Sequence, residues 1–377
     1  MEKKWYHPYT DKYFLRSKHI LEQEEINPYV RYQVFARKNT IMNGIDNTLV
    51  FLQDELKGKD VKIYSVKNGY EYRAGEVIMK IEGHVQDLID LETVYLGLLC
   101  EGMLESCVDY AEIAQRARYV IDEAKDKPVY YFGARHYHWS RDLAIAAICQ
   151  GAGFAGCSTD NGAVAWGSKG LGTIPHALVI AIAINDKEYG ALVNATVHAT
   201  KLFDKHIEKE VPRITLIDTF NREYNDSVAS VEAGATGIRI DTCGENMVKP
   251  YKEEEFKKFK EALMDDYNIF PYSNKIGGNG VSINAVVSLK REMIDNGVNI
   301  PITVSSGFDH AKLQEFMCAD CLFKKWYGTN LFDSVGYGVT TQPACTSDIC
   351  AYREESGKWV PFSKVGRKEI EPILKEV

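Results

Sequence analysis

Residues 129–158 read VYYFGARHYHWSRDLAIAAICQGAGFAGCS, and this segment carries the clearest prediction of a fold class. A short apolar run, Val129 to Phe132, is followed by an amphipathic segment, Arg141 to Ala152, and then by a second apolar run, Phe154 to Ser158. Two apolar runs separated by a helical segment at this spacing predict a strand–helix–strand unit with parallel strands. The preceding Asp126-Lys127-Pro128 marks the expected start of the domain that contains this unit.

The same alternation continues along the chain as far as residue 345. The further apolar runs lie at residues 171–174, 214–218, 237–241, 302–305 and 332–335. Amphipathic segments such as 251–266 and 283–296 separate them. Repetition of strand and helix predicts an α/β fold with a parallel sheet and favours a barrel, whereas a doubly wound open sheet is the alternative.

The two ends of the chain carry patterns typical of antiparallel strands. Lys62 to Val66 and Val77 to Ile81 flank an Asn68-Gly69 turn, and Asn-Gly between apolar runs is a strong hairpin signal. Ile349 to Arg353 and Trp359 to Ser363 also read as a hairpin. We expect this C-terminal hairpin to pack back on the N-terminal part of the chain.

Residues 87–124 show helical spacing over a length too great for one ordinary helix, so we expect two helices or a kinked one. Together the patterns predict three parts. These are an N-terminal α/β domain over residues 1–127, a barrel domain over 128–345 and a β tail over 346–377.

The composition is that of an ordinary globular protein, with 45% apolar and 26% charged residues. Acidic residues outnumber basic ones by 53 to 45, a net charge of −8, which disfavours nucleic acid as a partner. The first residues contain no apolar signal core, and the longest apolar run, Ala177 to Ile184, is far shorter than the roughly 20 residues of a membrane helix. We therefore expect a soluble cytoplasmic protein without a membrane partner.

The nine cysteines are expected to be reduced thiols rather than a disulfide framework. Cys318, Cys321, Cys345 and Cys350 are a candidate zinc set, since zinc needs four ligands around one point. The first two should end a helix near the bottom of the barrel, and Cys345 should follow a loop at its top. We therefore predict no resident metal site, with zinc at these four cysteines as the alternative.

Polar residues gather where the predicted strands end, which in parallel barrels is the side of the active site. One strand ends at Asp218, and the next contains Arg239 and Asp241. These two side chains alternate along a strand and therefore share a face. A charged pair that faces a barrel interior is costly unless it binds a ligand or is mutually paired, and we favour a ligand.

The last two predicted strands are each followed by a glycine-containing loop. Ser305-Ser306-Gly307 follows one strand and Gly336-Tyr337-Gly338 follows the other. The loops after the last strands of a barrel often bind phosphate through backbone N–H groups. The helix predicted at residues 309–316 would point its N-terminus at the same anion. These loops predict a divided phosphate site.

In this order along the chain, the motifs resemble those of the nicotinate phosphoribosyltransferases, which form the type II phosphoribosyltransferase family with the nicotinamide and quinolinate enzymes. The matching segments are residues 10–14, 80–83, 92–99, 132–136, 172–178, 216–220, 239–242, the two glycine loops and 363–367. The resemblance implies an irregular seven-stranded α/β barrel beside an N-terminal α/β sandwich that the C-terminal tail completes. It also implies a homodimer, or a higher homo-oligomer, with shared active sites.

The resemblance assigns a first group of residues to a pyridine site. The pyridine ring would stack between Phe132 and a tyrosine of the partner's N-terminus, which corresponds to Tyr13. Arg135 would lie over the ring and its carboxylate, with Ser158 close by. The same group includes Asp11 and His176.

A second group would bind phosphoribosyl pyrophosphate together with Mg²⁺. The ribose and 5′-phosphate residues implied are Arg239, Asp241, Ser305, Ser306, Gly307, Gly336 and Gly338, and the pyrophosphate candidates are Arg37, Lys38, Lys364 and Arg367. The catalytic residues implied are Asp241, Arg239, Asp218 and His176. Several family members couple the reaction to ATP through a histidine at the position of His176, so ATP is a further candidate cofactor.

The implied reaction joins nicotinate to phosphoribosyl pyrophosphate and gives nicotinate mononucleotide and pyrophosphate, a salvage step of NAD biosynthesis. A pyridine nitrogen needs positioning more than activation, which agrees with the lack of a nucleophile triad in the sequence. The alternatives are the nicotinamide or quinolinate reaction, or a non-catalytic nucleotide-binding protein of the same fold. The retained Arg239, Asp241 and glycine loops favour catalysis.

Overall fold

In the computed structural model, the described residues are 3–103, 108–186, 191–267, 269, 274–341, 344–370 and 374–377. Within them the chain forms a six-stranded antiparallel sheet, a six-stranded parallel sheet and a two-stranded ribbon. Helices of the same residues pack on both six-stranded sheets. The predicted α/β class is therefore confirmed.

The strands of these sheets are β1 (Tyr29–Ala36), β2 (Thr40–Met42), β3 (Lys62–Ser65), β4 (Tyr70–Tyr72), β5 (Val77–His84), β6 (Val129–Tyr131), β7 (Gly156–Cys157), β8 (Ile214–Leu216), β9 (Gly237–Ile240), β10 (Ile302–Val304), β11 (Ser334–Tyr337), β12 (Cys345–Arg353), β13 (Trp359–Pro361) and β14 (Lys375–Glu376).

The helices are α1 (Lys12–Gln23), α2 (Ile45–Glu55), α3 (Val85–Leu88), α4 (Glu92–Gly102), α5 (Tyr110–Ala124), α6 (Asp142–Ala152), α7 (Asp160–Ala163), α8 (His176–Asn185), α9 (Ala191–His206), α10 (Glu223–Glu232), α11 (Glu253–Tyr267), α12 (Asn274–Gly277), α13 (Ile283–Asp295) and α14 (His310–Tyr327). The predicted helical region at 87–124 is thus divided between α3, α4 and α5.

The antiparallel sheet combines strands from both ends of the chain, in the order β13-β12-β1-β5-β3-β14. The C-terminal hairpin forms as predicted, because β12 and β13 pair antiparallel on either side of residues 354–358. Its longer strand, β12, lies between β13 and β1 and pairs with β1 along its length. The tail is therefore part of this sheet, with β12 as an inner strand and β13 and β14 as its two edges.

The Asn68-Gly69 turn has a different role from the predicted one. Strands β3 and β5 do pair antiparallel, but β4 lies between them along the chain and pairs with β2. Gly69 adopts a φ of +83° and donates its N–H to the carbonyl of Met42, 2.7 Å away. The turn thus starts the β2–β4 ribbon and does not join β3 to β5.

The parallel sheet has the order β7-β6-β11-β10-β9-β8 and contains six of the seven predicted strands. The prediction that residues 171–174 form a strand is wrong. Leu171 donates one hydrogen bond to Cys157, 2.8 Å away, but the carbonyl of Gly172 accepts from Arg16 of α1, also at 2.8 Å. The carbonyl of Gly172 is thus satisfied by a side chain of helix α1 and not by a neighbouring strand. The described residues form a six-stranded half-barrel, and in them a closed seven-stranded barrel is not observed.

Two buried apolar clusters surround the sheets. The apolar run of α8 belongs to the cluster of the antiparallel sheet, although it follows β7 along the chain. Burial on all sides explains why this helix is apolar around its whole circumference. In the described residues, no helix is both long and apolar enough to span a bilayer.

Gly97 sets the distance between α4 and the loop that follows β6. A Cβ atom at this position would lie 2.3 Å from the carbonyl oxygen of Tyr137, which is backbone and cannot rotate away. The short separation allows Glu92, at the start of α4, to reach Arg135 of this loop. Gly97 therefore positions two charged groups of the site described below.

We predict that Gly97→Ala lowers the free energy of unfolding by about 1–3 kcal/mol, because the added methyl group forces the backbones apart. Gly151→Ala is the matched control, since Gly151 lies in α6 with open space around its Cβ position. The control should be as stable as the native chain or more stable by about 0.5–1 kcal/mol, through helix propensity. Urea unfolding of both variants measures this difference, and a native midpoint for Gly97→Ala would contradict the prediction.

Candidate functional site

A cavity of about 760 Å³ lies at the C-terminal ends of the parallel strands and is bounded on its other side by α1, α8 and β12. It contains most of the residues predicted for the site. Those that line it are Tyr13, Arg37, Lys38, Phe132, Arg135, His176, Arg239, Asp241, Ser305, Ser306, Gly307, Gly336, Gly338, Lys364 and Arg367. Asp11, Ser158 and Asp218 do not line it, and each is buried behind the wall.

Phe132 lies directly after β6 and presents its ring to the cavity. Its N–H donates to the carbonyl of Tyr337, 2.9 Å away, which continues the pairing of β6 with β11. The ring lies over Gly336, where a Cβ atom would come within 2.5 Å of it. The ring of Phe132 also stacks with the ring of Tyr130, at a centroid distance of 6.3 Å. The glycine therefore leaves room for a flat aromatic surface in the wall.

Arg135 is held by two buried carboxylates. Its guanidinium lies 3.1 Å from Asp11 and 3.2 Å from Glu92, and it stands over the ring of Tyr13. Asp11 also accepts hydrogen bonds from the hydroxyls of Tyr13 and Thr93. Asp11 thus positions the arginine and the tyrosine and does not itself reach the cavity.

Glu92 is a buried carboxyl group of this cluster that sequence reasoning did not assign to the site. Burial, together with the nearby charges of Asp348 and Asp11, raises the pKa of Glu92 well above its usual value, and Lys364 opposes this only in part. Glu92 therefore holds a proton more readily than an exposed glutamate does, while its carboxyl group lies 3.2 Å from the guanidinium of Arg135. The feature of the sequence that could have identified Glu92 is an acidic residue in the otherwise apolar start of α4.

Tyr13 lines the cavity of its own chain. The N–H of the preceding residue, Lys12, donates to the carbonyl of Ser158 at 2.7 Å, and this contact fixes the start of α1 against the end of β7. Ser158 is itself buried, and its hydroxyl has no hydrogen-bond partner in the described part of the chain. Tyr13 therefore lines the cavity of the chain to which it belongs, and Ser158 lies behind the wall, while the sharing of sites between two chains stays a prediction.

Arg239 and Asp241 form an ion pair at 3.4 Å and both line the cavity. The hydroxyl of Ser305 donates to Asp241 at 2.8 Å, and the backbone N–H of Asp241 donates to Asp218 at 3.1 Å. The side chain of Asp241 is 26% exposed, whereas that of Asp218 is 1% exposed. The sequence offered two explanations for this charged pair, mutual pairing or ligand binding. The structure is compatible with both, because the two residues form an ion pair and also face the open space of the cavity.

His176 contacts Asp218 behind this pair, with Nε2 2.9 Å from Oδ2. Burial and Lys364 lower the pKa of His176, although Asp218 and Asp241 oppose the shift. Burial alone would raise the pKa of Asp218, but His176, Lys364 and Arg239 hold it below its usual value. Asp218 is therefore an anion that orients His176 and the backbone of Asp241.

The two segments predicted to bind phosphate lie on neighbouring strands. Residues 305–307 follow β10, whereas Gly336 and Tyr337 are the last residues of β11 and only Gly338 follows that strand. Ser306 and Gly307 have φ values of +73° and +61°, and Val339, directly after Gly338, has a φ of +47°. Positive φ is a rare conformation for serine and rarer for a β-branched residue. Strain of this kind concentrates at binding and catalytic sites. Helix α14 begins next to the first loop, capped by Asp309, which accepts from the N–H of Lys312.

Four basic residues from the two ends of the chain form the opposite rim. Arg37 pairs with Glu245 at 2.9 Å, and Arg367 pairs with Glu245 and with Asp348, the latter at 2.8 Å. Lys364 lies 3.8 Å from Asp348, and Lys38 is exposed. The predicted pyrophosphate candidates therefore converge, and sequence reasoning missed the acidic partners Asp348 and Glu245 because they come from distant segments.

The four cysteines weighed as a zinc set lie on different elements. Cys318 and Cys321 are on α14, and Cys345 and Cys350 are on β12. Cys345 donates its backbone N–H to the sulfur of Cys100, while the thiol of Cys350 donates to the carbonyl of Arg31. Among the described residues, no three His, Cys, Asp or Glu side chains are grouped to hold a metal ion.

Comparison with known proteins gives two kinds of likeness. Residues 11–102 match the family model of the quinolinate phosphoribosyl transferase N-terminal domain. The chain is also similar to the crystal structure of nicotinate phosphoribosyltransferase from Porphyromonas gingivalis, with a TM-score of 0.63 and 12% identity over 98% of this chain and 95% of the other. The structure of nicotinate phosphoribosyltransferase from Vibrio cholerae gives a TM-score of 0.59 and 13% identity over 95% and 87%.

The two kinds of likeness cover different parts of the site. The family match contains Asp11, Tyr13 and Glu92, while the likeness to solved structures extends over the parallel sheet and both strained loops. Because the sequence identities are only 12% and 13%, the similarity to these solved structures shows the fold alone. The sequence match over residues 11–102 and the similarity of fold over nearly the whole chain confirm the resemblance to the type II phosphoribosyltransferases. The members of that family are enzymes.

Proposed function

We propose that this chain transfers the phosphoribosyl group of phosphoribosyl pyrophosphate to nicotinate and releases nicotinate mononucleotide and pyrophosphate. One observation supports this above all. A single cavity combines an aromatic and arginine wall, formed by Tyr13, Phe132 and Arg135, with the Arg239–Asp241 pair beside two strained loops. The first set suits a flat anionic ring and the second a sugar phosphate.

In the proposed reaction, the lone pair of the pyridine nitrogen attacks C1 of the ribose while the bond from C1 to the pyrophosphate oxygen breaks. The electrons of that bond leave with pyrophosphate. The attacking nitrogen carries no proton, so the reaction needs no general base. The protein must hold the two reactants in line and stabilise the charge that develops on the sugar and on the leaving group.

The pyridine end of the cavity is suited to an anionic ring. Phe132 offers a flat face, and Tyr13 lies under the guanidinium of Arg135. Because burial raises the pKa of Glu92, the neutral form of this carboxyl group is favoured beside Arg135 and Asp11. A protonated carboxyl can also donate a hydrogen bond to a carboxylate. Nicotinate would thus meet the positive guanidinium of Arg135.

The phosphate end of the cavity is suited to two separate anions. The loops of Ser306 and Gly338 lie beside Arg239, whose Nε has no hydrogen-bond partner in the described residues. The basic rim of Arg37, Lys38, Lys364 and Arg367 faces the same space. Two anion sites in one cavity match the 5′-phosphate and the pyrophosphate of the proposed substrate.

Asp241 is the residue that fits Mg²⁺. Its carboxylate is partly exposed to the cavity beside the predicted sugar site, and Mg²⁺ is usually held by one or two carboxylates together with substrate phosphates. When bound, the ion would neutralise charge on the departing pyrophosphate. Asp218 is too deeply buried to share this role.

We predict that the protein prefers nicotinate to nicotinamide by at least tenfold in kcat/KM, about 1.4 kcal/mol of differential transition-state binding, because Arg135 favours a carboxylate. Pyrophosphate release is measured with Mg²⁺ and phosphoribosyl pyrophosphate, and with nicotinate, nicotinamide or quinolinate as the acceptor. Each arm is repeated with ATP, and an ATP-dependent rise in rate would show that the reaction is coupled to ATP. Equal or higher efficiency with nicotinamide or quinolinate would overturn the choice of substrate.

A second prediction concerns Arg135→Gln, which removes the charge and keeps hydrogen-bond donors toward Asp11. The KM for nicotinate should rise about tenfold or more, since a charge-assisted contact is worth about 1.5–3 kcal/mol. The KM for phosphoribosyl pyrophosphate should change little. Arg118→Gln is the matched control, because Arg118 is exposed on α5 and does not line the cavity. Native nicotinate kinetics in a folded Arg135→Gln protein would refute this role.

A further inference from the structure

Lys312 is a basic residue of the cavity that no sequence motif singled out. It lies in the first turn of α14, half-buried, and lines the cavity next to the loop of residues 305–307. Its Nζ donates to the carbonyl oxygen of Ser306 at 3.0 Å and lies 4.3 Å from the centre of the Phe308 ring. The side chain thus runs along the loop and ends inside the cavity.

The contact with Ser306 falls on a strained residue. Ser306 has a φ of +73°, which is unfavourable for a residue with a Cβ, and Gly307 follows with +61°. An ammonium group has three N–H donors, and in the described residues Ser306 accepts from one of them. The other donors are free to bind an anion while the first holds the loop.

The charged groups around Lys312 come from three elements. Asp309 caps the same helix, Asp241 follows β9 across the cavity, and Lys275 of α12 lies on the third side, paired with Glu315. Burial and Lys275 lower the pKa of Lys312 to about 8, against the two aspartates. At neutral pH the ammonium is therefore charged, and its charge is lost within the alkaline range in which enzymes are still folded.

We propose that Lys312 binds the 5′-phosphate of phosphoribosyl pyrophosphate, holding it against the loop of Ser306 and Gly307 whose conformation the same ammonium maintains. This inference rests on the proposed function and adds to it a cationic residue for the phosphate site. The loops alone offer backbone N–H groups, whereas Lys312 supplies a full positive charge at short range.

The proposal has a defined dependence on pH. The ammonium is charged below a pKa near 8 and neutral above it, so phosphate affinity is complete at pH 7 and declines through pH 8 and 9. For a single group of this pKa, the dissociation constant should rise about tenfold between pH 7 and pH 9. Binding at pH 9 should take up a proton, since the bound phosphate restores the charge on the lysine.

The test compares the native protein with Lys312→Met, Lys312→Arg and the control Lys324→Met, which alters an exposed lysine of the same helix. Isothermal titration calorimetry measures the binding of Mg²⁺–phosphoribosyl pyrophosphate and, separately, of ribose 5-phosphate, which lacks the pyrophosphate. Titrations are made at pH 7 and pH 9, in two buffers of different ionisation enthalpy.

At pH 7, we expect Lys312→Met to weaken both ligands about tenfold or more, while Lys312→Arg and Lys324→Met bind almost normally. At pH 9, the native protein should bind tenfold more weakly with uptake of close to one proton. Lys312→Arg should show neither effect, because arginine remains protonated. A residue that only supports the fold would not produce this pH shift.

Three outcomes would overturn the inference, and they differ in whether the proposed function is also refuted. Native affinities in Lys312→Met would refute the role of Lys312 and leave the proposed function intact. Weaker binding of phosphoribosyl pyrophosphate alone would place Lys312 at the pyrophosphate and not at the 5′-phosphate. No binding of phosphoribosyl pyrophosphate by the native protein would refute the proposed function and this inference with it.

Discussion

The guanidinium of Arg135, enclosed between the carboxylates of Asp11 and Glu92, is the contact on which the arrangement of the site depends. Arg135 follows the first strand of the parallel sheet, while the two acidic residues come from the start of α1 and of α4. Both acidic side chains are almost fully buried, at 0% and 6% exposure. A buried carboxylate without a partner is costly, so the arginine stabilises α1 and α4 in the one position that satisfies both.

The same contact explains the electrical balance of the cavity. Two carboxylates against one guanidinium would leave a net negative wall, and burial opposes this because it raises the pKa of Glu92. On the far rim, Asp348 and Glu245 offset Arg367, Arg37 and Lys364 only in part. The rim formed by Arg37, Lys364 and Arg367 is therefore more positive than the wall beside Arg135.

Local patterns predicted much of this protein. The apolar runs located six parallel strands, and polar residues at their ends identified most of the cavity wall, because the carboxyl ends of parallel strands meet at one edge. The run at 171–174 failed because its carbonyl of Gly172 is satisfied by Arg16 of a helix far away in sequence. Glu92, Asp348 and Lys312 were missed for a related reason. Each becomes a site residue through neighbours that only the folded chain supplies, and no spacing rule connects them.

The pairing of β12 with β1 has a consequence for how the protein folds. This strand, at residues 345–353, pairs with β1, at residues 29–36, so the two strands are far apart along the chain. It also carries Cys345, Ser347 and Asp348 into the cavity wall. During translation, β1 and β5 must wait with one hydrogen-bonding edge open until the whole parallel sheet has been produced. Contacts so distant along the chain slow folding and leave a strand edge unpaired, so the wall of the cavity is complete only after β12 has paired with β1.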